Sequence, residues 1–195
     1  MTSMIDESKM SQIACNIKFI LILDNNGKLI YGKYYNCPEL DTARAQRDFE
    51  KKICQTTQNI NVSKDEIDIF TINQYNVITK ICNEIALFIG INEDENECIA
   101  NNFFSIFENV LSNVLNDKFT KESVMNNFDK VIVVIDEMVN EGVVMNTDGE
   151  SIEKILSMRS EGGQNFISFD SASSSGQSSS LFGSLLSGAR TIFGS

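Results

Sequence analysis

The sequence predicts an α/β (α+β) fold in which a five-stranded antiparallel sheet is flanked by helices. Two observations lead to this prediction. Five short runs rich in β-branched and aromatic residues are joined pairwise by separators of turn length. From about residue 92 onward the apolar residues recur at helical spacing instead. Strands that follow one another across short turns pair antiparallel, and helices then cover the faces of the sheet.

The first two predicted strands form a hairpin. Ile17–Asp24 carries apolar residues at both odd and even positions, which predicts a central strand covered on both faces. Asn25–Lys28 contains an Asn-Gly pair, which is typical of a hairpin turn. We therefore expect Leu29–Tyr35 to be the second strand.

A helix and three further strands are predicted next. Pro38 fits the first turn of a helix over 39–55, with Phe49 and Ile53 on its apolar side, and 55–64 is expected to be a loop. Three strands then follow, with Asn73-Gln74 and Asn83-Glu84 as turns between them. They are expected at Ile67–Ile72, Tyr75–Ile81 and Ile85–Ile91.

Three helices are predicted after the sheet. The first covers 92–116, and its apolar positions repeat at helical spacing. The second begins at Thr120 and ends at Gly142; its Val131–Ile135 run favours a strand by propensity, but the spacing of its apolar neighbours favours a helix. Ser151–Met158 is the third. The apolar positions of the first helix are Ile99, Phe103, Ile106, Phe107, Val110, Val114 and Leu115.

Length and composition suit one domain with additional terminal segments. The chain has 195 residues, of which 42% are apolar and 22% charged, which is ordinary globular usage. After Ser160 the composition shifts abruptly to Gly and Ser. We expect a flexible arm over 1–16, a domain over 17–160 and a Ser/Gly-rich tail over 161–195.

The charge and the absence of histidine limit the possible functions. The formal net charge is −11, from 16 basic and 27 acidic residues, so the surface as a whole repels phosphate backbones and anionic lipid, and no nucleic-acid binding is expected. The sequence contains no histidine, which removes the usual general base and most catalytic zinc sites. We expect no enzyme activity, no catalytic residues and no cofactor.

Three features of the sequence resemble catalytic or metal-binding sites, and each also has a structural explanation. The five cysteines are odd in number and contain no CxxC pair, so buried or inert thiols in a reducing compartment are expected. Asp136 and Glu137 are neighbours that point about 100° apart on a helix, which favours a structural or interface role over acid–base catalysis. The acidic run 93–97 favours a solvated helix start, since a calcium loop requires an oxygen spacing and a glycine that are missing. No metal site is therefore predicted.

Membrane contact is expected to be peripheral. The first nine residues have no apolar core of a secretory signal, and no run approaches the 18 or so apolar residues of a membrane span. On a helical wheel the bulky residues of 181–195 fall within an arc of about 140°, opposite a Ser/Gly face, as in amphipathic helices that sense loose lipid packing. The alternatives are a disordered tail and a segment that docks a partner. The candidate membrane-contacting residues are Leu181, Phe182, Leu185, Leu186, Ile192 and Phe193.

Four segments, in order, resemble the small chains of vesicle coats with a longin-like fold, and most specifically the coatomer zeta subunits. The resemblance covers about residues 17–160, and the last segment resembles the acidic motif VDE-hydrophobic-V-x-x-GV of that family. Adaptor sigma chains typically have Ala-Gly-Glu where this chain has Glu141–Val144. The segments are Ile20–Gly27, Lys33–Tyr35, Gln46–Ile53 and Val134–Met145.

The resemblance implies a non-enzymatic subunit of the COPI coat. Such a chain would pair with the large gamma coatomer subunit, reach Golgi membranes and COPI vesicles through an Arf-family GTPase acting on the whole complex, and serve Golgi-to-ER and intra-Golgi transport. It implies no cargo site that can be placed on residues here. The alternatives are a sigma chain of a clathrin-type adaptor, a longin-domain SNARE and a small cysteine- or carboxylate-based hydrolase. A SNARE requires a long heptad segment, and this sequence shows none.

Overall fold

A five-stranded sheet forms the centre of the fold. The computed structural model describes residues 15–60 and 62–162, with side chains up to 158, so most of the expected arm and tail lie outside the described residues. The strand order is β2-β1-β5-β4-β3, and every neighbouring pair is antiparallel, which confirms the predicted sheet. The strands are β1 Ile17–Asp24, β2 Leu29–Tyr34, β3 Ile67–Ile72, β4 Tyr75–Cys82 and β5 Ile85–Asn92.

Helices cover both faces of the sheet, and a small hairpin lies beside it. One face carries the first helix after β2, and the other carries the helices that follow β5. The hairpin consists of two two-residue strands that pair antiparallel. These elements are α1 Ala43–Asn59, α2 Glu97–Leu115, α3 Lys121–Asn126, α4 Phe128–Met138, β6 Val139–Asn140, β7 Val143–Val144 and α5 Gly149–Gly162.

The buried strand β1 separates two apolar clusters, as its sequence predicts. Its even positions Ile20 and Ile22 pack with α2, α4 and α5 in the larger cluster. Its odd positions Phe19, Leu21 and Leu23 pack with α1 in the smaller one. Because both faces are covered, all but one residue of β1 is buried.

An aromatic group anchors α1 to the sheet. The ring of Phe19 lies 5.2 Å from that of Phe49 and 5.5 Å from that of Tyr75, centroid to centroid, in edge-to-face geometry. Gly90 on β5 lies opposite Phe19, and a Cβ there would overlap the Phe19 ring. The missing side chain at Gly90 therefore makes room for Phe19.

The turns between strands match the prediction. Gly27 has φ +72° in the first hairpin, and Asn73 and Asn83 have φ +56° and +52° in the two later turns. Asn tolerates this left-handed conformation better than most residues, because its short side chain can hydrogen-bond locally.

The helix predicted over 39–55 is wrong at both ends. Pro38–Leu40 forms a separate 3-10 turn, and α1 begins only after Thr42, whose Oγ1 accepts a hydrogen bond from the Ala45 N–H at 3.2 Å. At the other end α1 continues to Asn59, through residues that were expected to be a loop. Thr57 explains the extension, because its side chain is buried against the core and its Oγ1 donates to the Ile53 carbonyl at 2.9 Å.

The helix predicted from residue 92 begins later, at Glu97. Asn96 caps it, since its Oδ1 accepts hydrogen bonds from the N–H groups of Cys98 and Ile99 at 2.9 and 3.4 Å. Only Glu97 of the acidic run lies in the first helical turn. Seven predicted apolar positions behave as expected: Phe103, Phe107, Val110, Val114 and Leu115 are buried, and Ile99 and Ile106 are partly buried.

The single helix predicted from Thr120 to Gly142 is divided into α3 and α4. Asn127 interrupts it with φ −115° and ψ +23°, values outside the helical region. Val131–Ile135 is helical, as predicted. The end of α4 was predicted wrongly, because Val139 is already extended and Gly142, with φ +90°, belongs to the turn of the β6–β7 hairpin. The final helix α5 is longer than the predicted Ser151–Met158.

Candidate interaction surface

Two family-like segments that are far apart in sequence, Lys33–Tyr35 and Val134–Met145, meet at one end of the sheet. Lys33 of β2 places its Nζ 2.5 Å from Oδ1 of Asp136 on α4, although the residues lie 103 positions apart. Two residues after β2, Asn36 donates from Nδ2 to the Glu141 carbonyl at 3.3 Å. We call this contact between the end of β2 and 136–142 the motif junction.

Gly142 brings the hairpin against β1 at the motif junction. The Ile17 N–H donates to the Gly142 carbonyl at 2.7 Å, and Asn16 forms an antiparallel bridge with Val143. A Cβ on Gly142 would lie 2.7 Å from the Ile17 carbonyl oxygen and 3.1 Å from Cβ of Tyr35. Together with its positive φ, this close approach requires glycine.

Two tyrosines line the inner side of the motif junction. Burial raises the pKa values of Tyr31 and Tyr35, and the Asp136 carboxylate raises them further. Among the described residues the buried Tyr35 hydroxyl has no hydrogen-bond partner. The Lys33 ammonium lies 5.2 Å from the centre of the Tyr35 ring, within cation–π range. The Lys33 ammonium therefore forms an ion pair with Asp136 and a cation–π contact with the Tyr35 ring.

The motif junction contains an ion pair and lies beside exposed apolar side chains. Asp136 is occupied by Lys33, so the predicted structural or interface role of this acid fits its environment. The β6–β7 hairpin presents Val143 and Met145, with 39% and 59% of their surfaces exposed. We call these two residues the hairpin surface.

Two buried cysteines have raised pKa values, and the described acids and cysteines form no metal-binding cluster. Burial is the main factor that raises the pKa of the thiols, to about 11 at Cys15 and about 12 at Cys82, so both are protonated at neutral pH. In residues 15–162, residue 61 apart, no three Asp, Glu, Cys or His side chains are placed to share a metal ion. Glu95 and Glu97 instead accept hydrogen bonds from Asn16 and Asn76.

The predicted membrane-contacting residues belong to a different part of the chain. Leu181, Phe182, Leu185, Leu186, Ile192 and Phe193 lie outside the described residues. Within the described part, none of the helices is both long and apolar enough to cross a bilayer.

Sequence reasoning found both halves of the motif junction but not their contact. Lys33–Tyr35 and Val134–Met145 were identified as separate segments, and the contact between them needs the fold. The only local signal was that a lysine on an edge strand and an acid on a helix have opposite charge.

Comparison with known proteins places the chain in a family. A family model described as the clathrin adaptor complex small chain matches residues 16–162. Coatomer subunit zeta-3 of Oryza sativa is 30% identical over 150 residues, covering 75% of this chain and 82% of that protein. Coatomer subunit zeta-2 of Arabidopsis thaliana is 30% identical over 77% of this chain and 84% of that protein. Coatomer subunit zeta of Saccharomyces cerevisiae is 28% identical over 72% and 77%.

The structural comparison agrees with the sequence comparison on the fold. A chain in a homology model of the full-length AP-3 complex, in a stretched open conformation, superposes with a TM-score of 0.55 and 13% identity. The superposition covers 76% of this chain and 95% of that one, so the shared fold includes nearly the whole of the adaptor chain. By both family model and relatives, this chain belongs to the clathrin adaptor small-chain family and, within it, to the coatomer zeta subunits.

Proposed function

We propose that this chain is a non-enzymatic structural subunit of the COPI vesicle coat and that it pairs with the large gamma coatomer subunit. The observation that carries the proposal is the 30% identity to coatomer zeta subunits across about three quarters of the chain. The function of such a subunit lies in assembly. It would act in Golgi-to-ER and intra-Golgi transport, on the cytosolic face of Golgi membranes.

The motif junction supports the coatomer assignment over the adaptor sigma alternative. Glu141-Gly142-Val143-Val144 forms the β6–β7 turn and its second strand, where Val143 pairs with Asn140 and Val144 with Val139. Sigma chains typically have Ala-Gly-Glu in this place, so Val143, which follows the turn glycine where those chains have an acid, distinguishes this chain. Recruitment to the membrane would follow from an Arf-family GTPase acting on the whole coat.

Affinity purification of the full chain from its own cells tests the pairing. We expect a large gamma-type chain and the remaining coatomer subunits to be recovered together, as identified by mass spectrometry. Recovery of a four-chain clathrin-type adaptor would show that the sigma alternative is correct.

The hairpin surface is the part of the described chain that we propose to meet the large subunit. Val143→Glu combined with Met145→Glu places two charges on it, and we expect most of the co-purified large subunit to be lost, because charge is strongly disfavoured in an interface core. Met158→Glu is the matched control: Met158 is 57% exposed and belongs to α5, outside the hairpin. Equal recovery with both variants would remove the hairpin surface from the interface.

We also propose that the tail contacts the membrane through the six apolar residues of 181–195 named above. The support is the arc that they share on a helical wheel, opposite Ser and Gly. A peptide of 181–195 should gain circular-dichroism helicity on small neutral liposomes and not on large ones, since curvature loosens lipid packing. No gain on the small liposomes would exclude this role.

A further inference from the structure

The outer face of α1 carries an unusual concentration of positive charge. Four of the 16 basic residues of the chain lie within nine positions of this helix, and all four are exposed. At about 100° per residue, Arg44, Arg47 and Lys51 fall within an arc of about 60°. The inward side of the same helix carries the buried Phe49 and Ile53. We call Arg44, Arg47, Lys51 and Lys52 the basic stripe.

The basic stripe keeps an excess of positive charge, although Glu39 and Asp41 precede α1 and the Arg47 charge acts on the Glu50 carboxylate. Arg44 Nε lies 4.0 Å from Asp48 Oδ2, and these side chains are 92% and 65% exposed, so water screens the pair. Arg47 donates from Nε to the Ala43 carbonyl, and Lys51 has neither a hydrogen bond nor an ion pair among the described residues. Only one carboxylate of α1 faces outward, because Glu50 is buried and accepts from the Tyr34 hydroxyl at 3.0 Å.

The acidic residues of the molecule are concentrated on the other side of the sheet. Residues 93–154 contain fourteen acidic and four basic residues. Their helices α2, α4 and α5 pack in the larger core cluster, whereas α1 packs in the smaller one on the opposite face. Charges more than about 8 Å apart are largely screened at physiological salt, and a helix alone is about 10 Å across. The basic stripe therefore acts locally as a cationic surface, although the net charge is −11.

The shape of this surface favours a bilayer over a peptide. The face is a convex helix whose backbone hydrogen bonds are made within the helix, so it offers neither a groove nor free backbone groups to an extended peptide. A row of exposed cations on such a face suits the headgroup layer of an anionic membrane.

We propose that the basic stripe of α1 binds the headgroup surface of an anionic lipid bilayer, with the acidic helices turned away from it. The proposal rests on the proposed coat function, since it names the surface by which a coat subunit would face its membrane. It is separate from the tail, whose contact would need curvature and no lipid charge.

Co-sedimentation of the full chain with large vesicles tests the basic stripe. The vesicles are phosphatidylcholine alone, or phosphatidylcholine with about one fifth phosphatidylserine. We expect binding only to the anionic vesicles, and weaker binding as salt is raised. Because each cation near an anionic surface is worth about a factor of five in affinity, Arg47→Gln with Lys51→Gln should weaken binding about 30-fold.

The control removes two cations from the acidic side. Lys130→Gln with Lys154→Gln changes the net charge equally, at two exposed lysines of α4 and α5, and should leave vesicle affinity within about twofold. Circular dichroism and melting of both variants confirm that the fold is retained. Equal loss in both double variants would overturn the proposal, since net charge alone would then explain binding.

Two further outcomes separate the basic stripe from its rivals. If the stripe binds a poly-glutamate peptide and the chain does not bind anionic vesicles, the lipid assignment is overturned in favour of an acidic protein segment. If the stripe variant still recovers the coatomer subunits but binds vesicles as wild type does, the basic stripe proposal fails and the proposed coat function stands. Reduced vesicle binding with normal coatomer recovery supports both.

Discussion

Single residues at the end of β1 tie distant parts of the chain together. Asp24 is buried, yet its carboxylate has three donors: the N–H groups of Asn26 and Lys28, at 3.0 and 2.9 Å, and Lys121 Nζ at 2.8 Å. The first two hold the hairpin turn, and the third connects it to the start of α3, 97 positions away. The Asn-Gly turn was predictable from sequence because its signal is local, whereas Lys121 was not, because nothing near it in sequence indicates its partner.

Asp24 should give the protein a measurable acid dependence. Burial by itself would raise the pKa of Asp24, but Lys121 and the two backbone N–H groups outweigh it and hold the pKa below its usual value. The unfolded chain therefore binds the proton more readily, so this contribution to stability is present above about pH 4 and lost as pH falls through the folded-state pKa. Asp24→Asn should lower the free energy of unfolding by about 1–3 kcal/mol at pH 7 in urea titrations.

The matched control for Asp24 is Asp48→Asn, an exposed acid of α1 whose nearest cation is 4.0 Å away. It should change stability by less than about 0.5 kcal/mol at pH 7. If Asp24→Asn retains the full acid dependence of the wild type below about pH 4, another carboxylate is responsible.

Gly142 should be the least replaceable glycine of the motif junction. Gly142→Ala adds a Cβ 2.7 Å from the Ile17 carbonyl oxygen at a residue with φ +90°, so backbone strain and overlap act together. We expect the free energy of unfolding to fall by about 2–4 kcal/mol in urea titrations. Gly149→Ala is the control, because its Cβ would make an ordinary contact 3.6 Å from Val110 and its φ is not positive. Equal effects at both glycines would contradict this account.

Among the elements, the strands bounded by short turns were the most predictable. All five strands of the sheet were found, but α1 and α2 were predicted to start several residues too early. Their true starts follow Thr42 and Asn96, residue types typical of N-caps that the apolar spacing did not reveal. The division of α3 from α4 at Asn127 was missed, because apolar spacing continues through it. The β6–β7 hairpin was missed because two-residue strands are too short to show an alternating pattern.

A largely buried ion pair connects α2 to strand β4 of the sheet. Lys80 Nζ of β4 lies 2.6 Å from Glu108 Oε1 of α2, and their side chains are 17% and 18% exposed. Burial would lower the pKa of Lys80, but Glu108 outweighs it and raises the pKa. The stability from this pair is therefore present below the ordinary lysine pKa and is lost as pH rises through the folded-state value.

Breaking the Lys80–Glu108 pair should cost more than replacing it. Glu108→Ala leaves the Lys80 ammonium without its partner and should lower the free energy of unfolding by about 2–4 kcal/mol. Lys80→Met with Glu108→Leu should return to within about 1 kcal/mol of the wild type, since no charge is then buried. Urea unfolding at neutral pH measures both.

The exposed ion pair of the motif junction provides a comparison for the cost of breaking the Lys80–Glu108 pair. Asp136→Ala breaks the Lys33–Asp136 pair, whose side chains are 34% and 53% exposed, and should cost less than about 1 kcal/mol. A cost for Glu108→Ala no larger than that for Asp136→Ala would mean that water already screens the inner pair.

At the scale of the whole molecule, the fold places positive and negative charges on different faces of the sheet, which the net charge of the sequence does not show. A net charge of −11 predicts repulsion from anionic surfaces, yet the two sides of the sheet differ, because α1 and the 3-10 turn before it cover one face and the acidic helices cover the other. Composition could not show this, since it depends on which helix covers which face.

The folded domain should end with α5. We expect a chain truncated to 1–162 to melt within about 2 °C of the full chain, because the buried residues of α5 that complete the larger cluster precede residue 158. Truncation to 1–148 is the opposite case, since it removes Ile152, which is fully buried, and Leu156, which packs beside it. Losing two core side chains of this size should lower the melting temperature by at least about 10 °C, or prevent folding. Melting followed by circular dichroism measures all three chains. A large drop for 1–162 would show that the tail packs on the domain, which would make the same apolar residues unavailable to a membrane.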